Sequence, residues 1–130
     1  MLDQPNPDEV LEVVAQMLRE QFAPQLPGSA AFHARVAANA IDLVRRQIAA
    51  GERLEQASLA RLRALLGHDG DADALERELC ERIRDRLLDA STPGLLDHLM
   101  ASTLAKMSVD QPAYASYRRA LKEHPGLDPT

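Results

Sequence analysis

Residues 29–50 contain neither proline nor glycine. They are bounded by Pro24 and Pro27 on one side and Gly51 on the other, and carry Ala at 30, 31, 34, 37, 38 and 40. Alanine loses no side-chain entropy in a helix, and proline and glycine are the residues that interrupt one. The spacing therefore predicts a long helix over 30–50, capped by Ser29 and closed by Gly51 in the left-handed conformation that commonly ends helices. Its small residues let neighbouring backbones approach closely, which predicts an all-α fold, a compact bundle of five to six helices with this alanine-rich helix at its centre.

The remaining punctuation is also helical. Asn6-Pro7-Asp8-Glu9 places a cap, a proline at the first helical position and a carboxylate three residues after the cap. Val10, Val14, Met17 and Leu18 then share one face until Pro24. A further helix ends at Leu66, before Gly67, with Leu54, Leu62, Leu65 and Leu66 as core candidates. Leu75, Leu79, Ile83 and Leu87 follow at four-residue steps. Thr92 and Pro93 are placed to start the next helix, with Leu96, Met100, Leu104 and Met107 on its apolar stripe. Asp110-Gln111-Pro112 introduces a short last helix bearing Tyr114, Tyr117 and Leu121, closed by His124-Pro125-Gly126. No strand is needed.

The 130 residues are 45% hydrophobic and 27% charged, the balance of one ordinary domain over 1–130 with short flexible ends at 1–5 and 125–130. Only 3% are aromatic, so the core must be aliphatic. Fifteen basic against twenty acidic residues give a net charge of -5, the wrong sign for affinity built on phosphate neutralisation, and no nucleic-acid partner is expected. The lone Cys80 has no intrachain partner, and the first residues lack the basic start and apolar run of a signal peptide, so a cytoplasmic location is expected. No apolar run is long enough for a membrane span.

Chemistry-bearing positions are few. On a helical wheel His33 falls within the arc of Val36, Ala37, Ala40, Ile41 and Val44, which predicts an inward-pointing imidazole in need of a hydrogen-bond partner. Asn39, a mid-helix amide at the border of that arc, is expected to serve a neighbouring helix. Arg35 and Asp42 are expected on the solvent side. Thr103, Lys106, Asp110, Tyr114 and Tyr117 form a second polar grouping, where an i,i+4 Lys-Asp pair and two amphipathic tyrosines are also ordinary helix-surface features. Neither metal-ligand spacing nor a phosphate-binding glycine loop occurs, so no metal, no cofactor and no catalytic residue is expected.

Asp3-Gln4-Pro5, Glu9-Val10-Leu11, Leu26-Pro27-Gly28 and the stretch Ala31-Phe32-His33-Ala34-Arg35-Val36-Ala37-Ala38-Asn39-Ala40 resemble a small bacterial family of unknown function. Leu79-Cys80-Glu81-Arg82-Ile83-Arg84 and residues 103–112, followed by Tyr114 and Tyr117, are similar to its remaining blocks. The resemblance implies a working context beside aminoglycoside-phosphotransferase-like kinases and acyl-coenzyme A dehydrogenases, and no mechanism. Two functional expectations follow. One is a non-catalytic helical accessory module that docks on such a kinase or on itself. The other is a small-molecule or acyl-group binding domain, or a weak enzyme, with a pocket between the helices carrying His33 and Asn39 and those carrying Thr103 and Lys106. A nucleic-acid role for Arg61-Leu62-Arg63 and residues 82–86 is a weaker third.

Overall fold

The computed structural model describes residues 4–130, so part of the expected flexible segment at 1–5 lies outside the described residues. Among the described residues 78% are helical and none is in a strand. The five α-helices are α1 (Pro7–Gln16), α2 (Gly28–Leu66), α3 (Ala72–Arg84), α4 (Leu95–Asp110) and α5 (Ala115–Glu123). The all-α expectation holds.

Two expected boundaries do not. Gly51 does not end a helix: α2 runs through it for 39 residues, joining what the sequence divides in two. A glycine inside a helix costs only about 1 kcal/mol relative to alanine, a cost that helical segments on both sides readily outweigh. Nor does Thr92 cap α4. Its hydroxyl instead accepts from the Asp89 amide at 3.0 Å inside the preceding turn, and Gly94, at φ 86°, provides the left-handed entry.

The chain divides into two compact units, residues 1–51 and 52–130. In the first, α1 starts from the expected capping box: the Asn6 side chain accepts from the Glu9 amide at 3.0 Å and the Glu9 carboxylate accepts from the Asn6 amide at 2.8 Å. Beyond α1 the chain widens into a π-helical turn at Met17–Phe22, then tightens into a 3-10 turn at Ala23–Gln25. Pro24 lies in that turn, where its missing N–H rules out an uninterrupted α-helix. The first part of α2 then completes the unit. Its buried residues are Ala15, Ala23, Ala34 and Ala38.

The second unit has a leucine core of Leu62, Leu66, Leu75, Leu79 and Leu95, with Leu59, Leu65 and Leu88 packed against it. The expected four-step stripe along α3 fails at its end. Arg86 adopts a left-handed conformation (φ 60°), and the amides of Leu87 and Leu88 both turn back to the Arg82 carbonyl. That reversal leaves Leu87 72% exposed and puts Leu88 against the core. On α4 the buried face is Leu95, His98, Ala101, Leu104 and Val109, so Leu96 is exposed against expectation. Leu104 belongs to both stripes, while Met100 and Met107 are only half-buried.

Candidate functional site

Within the first unit, α2 is turned opposite to expectation. At 100° per residue, Ala34, Ala38, Asp42 and Arg45 share one side of the helix. Ala34 and Ala38 are buried there, and Asp42 accepts from Arg19 of the π turn at 2.7 Å. Arg45 continues the polar line, reaching Asp8 at 2.8 Å and Glu12 at 3.5 Å on α1. Asp42 is thus a half-buried partner of two arginines rather than a solvent-side residue, since Arg45 also lies 3.5 Å from it. Asn39 accepts from Arg19 at 3.0 Å, which ties α2 to the π turn. Arg35 is exposed, as expected.

His33, expected to point inward, is exposed, and its ring lies 5.7 Å from that of Phe32. The buried side of α2 is centred on Ala34 and Ala38, and at 100° per residue His33 and Phe32 fall on the opposite half of the helix. The bulky apolar side chains are therefore on the outside: Phe32 is 62% exposed, Val36 47%, Val44 46% and Ile48 66%. All four charged residues between positions 32 and 48, namely Arg35, Asp42, Arg45 and Arg46, fall on the other half of the helix. The result is an uncharged half-cylinder on which Val36, Ala37, Ala40 and Val44, expected inside, are exposed.

The second unit contains a shallow cleft of about 270 Å³ lined by Arg61, Leu65, Gly94, Asp97, His98 and Leu127, among others. That is slightly below the range of ordinary ligand pockets. His98 is 5% exposed, and its Nδ1 accepts from Arg61 Nε at 3.2 Å, which fixes the neutral ring with its proton on Nε2. Burial lowers the His98 pKa, the Arg61 charge lowers it further, and Glu76 opposes both. Burial also lowers the pKa of Arg61, which remains cationic and has no ion-pair partner among the described residues. Sequence reasoning missed this pair. Arg61 stands in the sequence as part of a basic run and His98 has no motif around it; the available signal is a histidine three positions from each of Leu95 and Ala101 on one helical face.

The other expected positions are dispersed. His33 and Asn39 belong to the first unit, and Thr103, Lys106, Asp110, Tyr114 and Tyr117 to the second. Thr103 donates its hydroxyl to the Leu99 carbonyl at 2.9 Å, within its own helix. Lys106, Asp110 and Tyr114 are exposed, whereas Tyr117 is buried. None of the seven lines the cleft. Among the described residues no three His, Cys, Asp or Glu side chains are grouped as a metal site requires, and no helix is long and apolar enough to cross a membrane.

An all-helical protein with an uncharged exposed helix face and a small Arg-His cleft is the class that fold and site define. Residues 24–114 match the model of a domain of unknown function, DUF6285, and the chain belongs to that family. No curated protein and no solved structure matches it.

Proposed function

We propose that the protein is a non-catalytic helical interaction module, an accessory subunit whose partner is another polypeptide. One observation carries this reading: the uncharged face of Phe32, Val36, Val44 and Ile48 on a helix whose opposite side is already satisfied by alanine contacts and ion pairs. Large apolar side chains exposed together on one uncharged half of a helix mark an interaction site, because leaving them in water forfeits their transfer free energy. The family resemblance supplies the context, a cytoplasmic bacterial protein encoded beside an aminoglycoside-phosphotransferase-like kinase, and makes that kinase the partner to try. Light scattering on the chain alone and mixed with the kinase tests the proposal. A mass above that of the separate chains supports it, whereas a lone monomer and two unshifted peaks at micromolar concentrations reject it.

A second reading, a small-molecule or acyl-group binding domain, is favoured by Arg61, a cation without a carboxylate partner at the edge of a cleft. An acyl-coenzyme A thioester would offer both an anion and an apolar chain. Thermal shifts with such thioesters on the wild type, Arg61→Gln, His33→Ala and Lys106→Ala decide between sites. Stabilisation lost in Arg61→Gln and kept in His33→Ala and Lys106→Ala assigns the cleft; equal shifts in all four proteins reject it.

A further inference from the structure

We propose that the apolar face of α2 is a two-fold interface with a second copy of this chain, paired antiparallel about Ala40; this deepens the interaction reading and rests on it. The motivation is the order of side chains along the stripe. At four-residue steps the exposed ridge reads Phe32, Val36, Ala40, Val44, Ile48, which is bulky, bulky, small, bulky, bulky about its midpoint. In an antiparallel pair with the axis at Ala40, Phe32 meets Ile48 of the partner subunit and Val36 meets Val44 of the partner subunit. The small central residue lets the helix axes approach where they cross. A closed two-fold contact requires one surface that is complementary to itself, and a palindromic ridge has that property, whereas a foreign partner has no need of one.

Area and charge point the same way. The four bulky side chains leave on the order of 400 Å² accessible on each copy. Pairing removes at most about 800 Å² from these, and exposed Ala37, Ala40 and His33 must supply the rest of the ~1,000 Å² a biological interface clears. The same half of the helix carries no charge from position 32 to 48, so a second copy laid on it suffers no like-charge repulsion. Finally, among the described residues of the first unit those buried are all alanines, and a partner would add large apolar contacts.

The test uses the full chain. Sedimentation or light scattering from micromolar concentration upward should give twice the 14.3 kDa of one chain. Val36→Glu should return it to the monomer while the helical circular dichroism signal is retained, since Val36 is exposed in the single chain. In a Cys80→Ser background, Ala40→Cys should form an intersubunit disulfide under mild oxidation, and Arg35→Cys, on the charged side, should not. A dimer that survives Val36→Glu, or one in which Arg35→Cys cross-links as fast as Ala40→Cys, overturns the assignment. So does a monomer at every concentration: if that monomer still shifts in mass with the kinase, the broader interaction reading stands without the second copy, and if it does not, both fall.

Discussion

Arg45 closes the first unit on Asp8, 37 residues earlier, through two hydrogen bonds of 2.8 Å from Nε and 3.1 Å from Nη2. The contact with Arg45 holds the Asp8 carboxyl below the usual carboxylate range, with burial opposing it. A pair of charges thus fastens an interior made of alanines, where aliphatic packing alone has little area to offer.

Asp8→Asn should lower the urea midpoint at neutral pH, by less than any leucine truncation in the second unit, because both groups remain hydrated. The sign follows from the lowered folded pKa. The stabilisation is present above the ordinary carboxylate value and is lost as the pH falls through the folded one, so variant and wild type should converge in acid. Added salt should narrow the difference at neutral pH. A gap that persists in acid would show that Asp8 acts through something other than its charge.

Gly51 distinguishes one long helix from two. Nothing lies within 4 Å of a Cβ built there, and its φ is not in the left-handed range. Gly51→Ala should therefore stabilise by about 0.5–1 kcal/mol, the usual gain at a helical glycine. A left-handed helix end at this position would reverse the sign. Thermal melts of the two proteins decide it.

Leu62 and Leu87 separate real core from apparent core. Leu62 is 1% exposed and Leu87 72%, although both belong to apolar patterns of similar strength in the sequence. Leu62→Ala should cost about 2–5 kcal/mol, and Leu87→Ala should stay within about 0.5 kcal/mol of the wild type. Chemical denaturation at a fixed temperature measures both.

Two histidines should titrate in opposite directions. The Asp69 carbonyl accepts from His68 Nδ1 at 2.9 Å and the Glu78 carboxylate from Nε2 at 2.7 Å, so both ring nitrogens act as donors and the pKa rises. His98 is buried and accepts from Arg61, so its pKa falls. The stabilisation from His68 is present below the ordinary histidine value and is lost as pH rises through the raised one. That from His98 is present above the ordinary value and is lost as pH falls through the lowered one. Histidine proton shifts followed by NMR should show midpoints on either side of the ordinary value, and Glu78→Gln should move only that of His68. Coincident midpoints would contradict both geometries.

The local chemistry of the chain was written in its residues. Asn6 and Glu9 form their capping box because the groups that satisfy the free amides are only three residues apart. Leu62, Leu66, Leu75 and Leu79 form a core because flanking glycines and polar loops leave those helices one apolar face each. What the sequence could not decide was which face of α2 its own chain would cover. Hydrophobic periodicity shows that Phe32, Val36, Val44 and Ile48 belong out of water, but it does not say what excludes the water. Ala34 and Ala38 are buried and Asp42 and Arg45 are ion-paired, so the first unit closes on the small and charged side of the helix. The likewise unforeseen Arg61-His98 contact depends on residues 37 positions apart meeting through α2 and α4. Burial is a sum over distant contacts, and only the tertiary structure carries it out.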